Sequence, residues 1–183
     1  MKLSKKNVAF SLLTFVILSI FFVGYESYHF IQANKELKST LKEMPTIYKY
    51  RNHELNAIIL YFEGLSKVKL FLTKRLISNY HKADAINGLY YQCRMMLWKT
   101  LLDISFNDDE VISLWCYYAP YVNGSGLKGA AEHEFGKNLD QLNTHELIAI
   151  VANTKSPLLY KQNPSLLQKR VNQMIANYEK ERK

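Results

Sequence analysis

From Val8 to Gly24 the chain reads VAFSLLTFVILSIFFVG, seventeen residues without a charge. In hydrocarbon no water can satisfy a peptide group, so a run of this kind has one economical conformation, the α-helix. Its length is at the short end of what crosses a bilayer. Lys2, Lys5 and Lys6 stand before it and no lysine or arginine follows immediately, which predicts a cytoplasmic basic N-terminus over residues 1–7 and an exported remainder. No small-x-small cleavage pattern follows Gly24, where Tyr25, Glu26, Ser27, Tyr28 and His29 stand. An uncleaved anchor over residues 8–24 is therefore expected in preference to a removed signal peptide.

The whole chain has 183 residues, enough for one domain with one core. Its formal net charge is +8, part of it in the first six residues. The rest suits anionic lipid headgroups or a polyanionic glycolipid. No cluster of Lys and Arg is interleaved with aromatic residues, so nucleic acid is not expected as a partner.

After the anchor, Tyr25 to Met44 is compatible with helix and polar on most faces, and Pro45 stops it. Residues 25–47 are read as a juxtamembrane stalk or first helix, and residues 48–183 as the folded domain. Two apolar runs, about Leu55 to Phe62 and Val68 to Ile77, are divided by Gly64. In the second, Val68, Leu72 and Leu76, with Phe71 beside them, recur at helical spacing. From Ile86 to Ile104 the face Leu89, Cys93, Met96, Leu97, Leu101 and Leu102 predicts a long buried helix, with Met95 and Met96 as core filler. Ser165 to Arg182 closes the chain as an amphipathic helix carrying Leu166, Leu167, Val171, Met174 and Ile175. No segment alternates at period two for long enough to predict a strand, so the fold class is all-α. Cys93 and Cys116 both lie on apolar helical faces and are expected to be small hydrophobes rather than a disulfide.

The most detailed wording lies between Asp108 and Pro157. Asn107 and Asn143 each precede a glutamate three residues on, Glu110 and Glu146, which predicts two capping boxes. Between them stand Asn123, Gly124, Gly126, Gly129 and Gly136, a glycine-bearing loop followed by a short helix. This stretch resembles the second half of glycosyltransferase family 51, the peptidoglycan transglycosylase domain of penicillin-binding proteins. The matching positions are Glu110, Val111, Ile112, Gly126, Leu127, Ala130, Ala131, Phe135, Gly136, Lys137, Leu142, Glu146, Ala149 and Pro157. Downstream, Tyr160, Pro164, Arg170, Asn172 and Met174 also fit, so the likeness runs from about Glu54 to Ile175.

The resemblance implies a lysozyme-like helical domain, truncated here, behind one transmembrane helix. It implies an enzyme that polymerises lipid II, a membrane-bound disaccharide-peptide pyrophosphate, with a glutamate as general base and cations on the leaving pyrophosphate. Ser66 and Lys74 match the family's donor-binding motif, and both are expected to bind substrate. The neighbouring polar positions of that motif hold Lys69, Leu70 and Phe71. Met95 stands where a second glutamate belongs. The family's first glutamate motif has no counterpart, and Glu63 is the acid nearest to its place, hence the candidate general base. Tyr117 and Glu134 likewise depart from the family pattern.

The histidines at 29, 53, 81, 133 and 145 form no zinc spacing, and His133 and Glu134, being adjacent, are expected to point apart. Asp108, Asp109 and Glu110 are explained by a first-turn acidic cap. No metal site or cofactor is expected, apart from a divalent cation should the chain be active. The expectation is thus a membrane-anchored, catalytically degenerate transglycosylase-like protein of cell-wall biogenesis that binds lipid II or glycan strands, or regulates cell-wall synthases. The alternatives are a divergent active transglycosylase with Glu63 or Asp103 as base, and a tethered structural partner of the synthases.

Overall fold

The computed structural model describes residues 5–44, 53–81, 88–122 and 126–181. The expected helix stop Pro45, the expected helix start Ile86, Lys2, and Asn123 and Gly124 of the loop lie outside the described residues. Among the described residues every regular element is helical. They are α1 (Lys5–Glu43), α2 (His53–Phe62), α3 (Leu65–Tyr80), α4 (Leu89–Ser105), α5 (Asp108–Tyr118) and α6 (Gly126–Phe135). A 3-10 turn over Leu139–Gln141 leads to α7 (Thr144–Asn153), α8 (Pro157–Gln162) and α9 (Pro164–Glu181).

Helix α1 is 39 residues long and unbroken. It is long and apolar enough to cross a membrane, and none of its most apolar window is buried by protein. Its second half is different. Glu26, Phe30, Ala33, Leu37 and Met44 are all buried, a stripe at helical spacing that lies against α3, α4 and α5. The residues from 26 onward therefore form the first helix of the domain's core.

The two capping boxes form. Asn107 Oδ1 accepts from the Glu110 amide at 2.9 Å, and Glu110 Oε2 accepts from the Asn107 amide at 2.9 Å. Asn143 and Glu146 repeat the exchange at 3.0 and 2.9 Å. These caps start the two most deeply buried helices. In α5, Val111 and Leu114 are fully buried, and in α7, Leu147, Ile148 and Val151. Around α5 gather α1 and α3, on which α4 also packs, and around α7 gather α2 and α9, with α6 touching both central helices. Gly126 makes that bridge. It sits at φ 63°, and a Cβ there would fall on the Tyr117 carbonyl oxygen and lie 2.7 Å from that of Cys116, so α6 starts against the end of α5 only because the residue is glycine.

Helix α4 departs from the reading of its sequence. Its buried residues are Arg94, Trp98 and Leu102, whereas Leu89, Cys93, Met96 and Ile104 are exposed. Met95 packs at the edge of the core and Met96 does not. Leu102 is buried and Leu101 packs against the core as expected, but toward its start α4 turns an arginine and a tryptophan inward to meet Glu26, which leaves Leu89, Cys93 and Met96 outside. Cys93 and Cys116 are free thiols, and burial pushes that of Cys116 up to about 12.

Candidate functional site

At the corner where α2 meets α3 the chain reads Glu63-Gly64-Leu65-Ser66-Lys67. Gly64 at φ 70° turns the chain between the two helices. A cleft of about 340 Å³ opens there, lined by Glu63, Lys67, Leu70, Phe71 and Lys74, with Trp115, Pro120, Thr154 and Lys155 from across the bundle. It lies where the α5 group meets the α7 group, the kind of junction at which ligand clefts form. Glu63 and Lys74, nominated from sequence, thus share one cavity. Ser66 is exposed on the first turn of α3 and is not among its lining residues.

The cleft is basic with an apolar wall. Lys67, Lys74 and Lys155 supply three ammonium groups, while Leu70, Phe71, Trp115 and Pro120 supply the wall. The Glu63 side chain is only 11% exposed, and its Oε2 lies 3.6 Å from the Lys155 ammonium nitrogen. It is the single acid among the lining residues. One carboxylate among lysines, which have no lone pairs to offer, does not fit a divalent cation that wants several oxygen ligands. Nor does any group of three His, Cys, Asp or Glu gather as a metal would need among the described residues. Asp103, the other acid considered as a base, stands outside this lining. Lys69 bridges it to Asp108 at 2.8 and 3.1 Å, and these bonds, Asp103 first, hold that ammonium above its usual value.

A second constellation escaped the sequence reading. Glu26, fully buried two residues after the apolar run, accepts hydrogen bonds from Arg94 Nε at 2.8 Å, Trp98 Nε1 at 2.8 Å and the Tyr90 hydroxyl at 3.0 Å. His81 Nε2 approaches the same carboxylate at 3.2 Å. Burial alone would lower the Arg94 guanidinium, but its bond and charge pairing with Glu26 outweigh that and hold it above its ordinary value. The signal was present in the sequence as a carboxylate at a position spaced with Phe30, Ala33 and Leu37. It was obscured because a glutamate there counts as polar surface.

A second, smaller cavity of about 190 Å³ lies between α6, the end of α7, α8 and the start of α9. His133 and Glu134 do not point apart. Tyr121 donates its hydroxyl proton to Glu134 and lies 3.0 Å from His133 Nδ1, so both reach one phenol. Burial first, then Glu134, pushes that phenol far up, so it stays protonated.

A scan against protein families and searches of curated proteins and of solved structures found no match for this chain.

Proposed function

We propose that the protein is a membrane-anchored, exported, catalytically degenerate relative of the peptidoglycan transglycosylases, which holds lipid II or a like glycolipid diphosphate in the Glu63–Lys74 cleft. The observation that carries this reading is the meeting of Lys67, Lys74 and Lys155 on an apolar wall. Ammonium groups suit the charge of a diphosphate, and the wall suits the amphipathic body attached to it.

The course of α3 supports a lipid-borne ligand. His81, just after α3, touches Glu26 at the membrane end of the domain, and Lys74 stands seven residues before it, about 10 Å of helix. Lys67 is a further seven residues away. The lysines therefore climb from the membrane end of the domain, as the phosphates and then the sugars of a glycolipid headgroup would. Chemistry lacks support of the same kind. The single carboxylate of the cleft is engaged by Lys155, the second glutamate of the family pattern is Met95, and Asp103 is tied to Lys69. The finer assignments, a lysozyme-like fold and an N-terminus in the cytoplasm, rest on the motif resemblance and on the lysines before Val8.

The test is the full chain in lipid nanodiscs, titrated with lipid II and with a polyprenyl diphosphate. Binding is expected without glycan polymer. Lys67→Ala and Lys74→Ala should each weaken it by roughly tenfold, the loss of one charge-assisted contact, and salt should weaken it further. Polymer formation that Glu63→Gln abolishes would overturn the reading in favour of an active transglycosylase. Unchanged affinity in both lysine variants would move the ligand elsewhere.

A further inference from the structure

We infer that the first two turns of α4 are seated in the membrane, so that lipid covers the apolar face this helix turns away from the protein. This rests on the reading above that the apolar run of α1 spans the bilayer.

Because α1 is unbroken, position along it measures height above the membrane. Tyr90 stacks edge-on to Phe22 at 5.1 Å, Tyr90 and Arg94 bond to Glu26, and Trp98 reaches both Glu26 and Phe30. As α1 advances from residue 22 to 30, α4 advances from 90 to 98. The two helices run parallel and in step. Leu89 is therefore level with Phe21, Cys93 with Tyr25 and Met96 with Tyr28.

The seventeen residues from Val8 to Gly24 rise about 25 Å, short of the roughly 30 Å of a hydrocarbon core. The deficit places the upper boundary of the hydrocarbon at or beyond Gly24. Tyr25 and Tyr28, 53% and 61% exposed, stand at that height, where aromatic belts lie. The start of α4 is at or below it. Leu89 is 76% exposed and Met96 73%, and Cys93 is exposed between them. In water these side chains would be a poor surface, whereas at this height Leu89 meets acyl chains and Cys93 and Met96 meet the membrane boundary where the tyrosines stand.

The Glu26 cluster fits the same placement. A carboxylate and a guanidinium level with the lipid boundary are tolerated when turned inward and paired, and Arg94 is 2% exposed while Glu26 is fully hidden. Ile104, 78% exposed on the same helix, is level with Glu36, about 21 Å of helix above Phe22 and so clear of the lipid tails, and serves as the aqueous control.

Cys93 provides the handle, since the only other cysteine, Cys116, is buried. The full chain in nanodiscs, spin-labelled at Cys93, is compared with L89C, I104C and F15C on a Cys93→Ser background. Collisions with lipid-soluble oxygen and with a water-soluble nickel chelate are measured at each site. Labels at 89 and 93 are expected to favour oxygen, as the label at 15 does, and the label at 104 to favour nickel. Nickel access at 89 and 93 equal to that at 104, with 15 still in lipid, overturns the seating while leaving the span intact. Nickel access at 15 overturns both. Shielding of 89 and 93 from both agents assigns the face to a protein partner and overturns the lipid proposal.

Discussion

Glu26 carries the sharpest consequence of any single residue. It accepts from Arg94, Trp98 and Tyr90 in a site from which solvent is excluded. Truncating one member of a buried ion pair leaves the other charge without compensation, which costs about 3–5 kcal/mol. Glu26→Ala should therefore destabilise the domain by that amount in denaturant unfolding of the full chain in micelles. A double replacement, Glu26→Leu with Arg94→Met, should recover most of it, because the uncompensated charge is then gone. A loss below about 1 kcal/mol in the single variant would mean that water reaches the guanidinium. The sequence contained this site but not its meaning: a glutamate two residues past an apolar run scores as surface, and only the inward turn of Arg94 and Trp98 makes it core.

At the scale of the element, local chemistry was readable and orientation was not. Asn107 with Glu110 and Asn143 with Glu146 announce helix starts because capping needs only neighbours in sequence, and both boxes form. The exposed start of α4 was not legible because hydrophobic spacing identifies an amphipathic helix without saying which of its apolar residues reach the core, as Leu102 does and Leu89 and Met96 do not. In the same way, Glu63 and Lys74 could be nominated from motif wording, whereas Lys155 came to the cleft only through the packing of the α7 end. The cap of α7 also gives a pH signature. The hydrogen bond from Lys137, then that from the Asn143 amide, holds the Glu146 carboxyl below the usual carboxylate range. A carboxyl lowered by folding stabilises above its unfolded value, and the contribution fades as pH falls through the folded one. Glu146→Gln should therefore unfold at lower temperature than the parent at pH 7, and the gap should close as the pH is taken below about 4. A gap that is constant across this range would show that packing rather than charge sets it.

For the molecule as a whole, the decisive question is where the apolar run of α1 stops being separate from the core and the domain begins. Composition divides the chain near Gly24, and a polar stretch followed by a proline invites a stalk out to residue 47. The buried stripe of Glu26, Phe30, Ala33, Leu37 and Met44 instead makes the second half of α1 a wall of the core, packed on α3, α4 and α5. Burying an apolar side chain of the size of Phe, Leu or Met contributes about 1.5–3 kcal/mol. Phe30, Leu37 and Met44 together thus represent a large share of the roughly 5–15 kcal/mol by which a domain is stable. Two truncations separate the alternatives. Removal of residues 1–24 should leave a helical chain that, in the mild detergent its exposed α4 face calls for, keeps a cooperative thermal transition. Removal of residues 1–44 strips the stripe, exposes Trp98, Leu102 and the Arg94 charge, and should leave a chain that aggregates or melts without a transition in circular dichroism. If the shorter chain melts as sharply as the longer, residues 25–44 are a stalk after all, and the contacts of Phe30 with Trp98 and of Thr40 with Tyr118 contribute nothing to holding the domain.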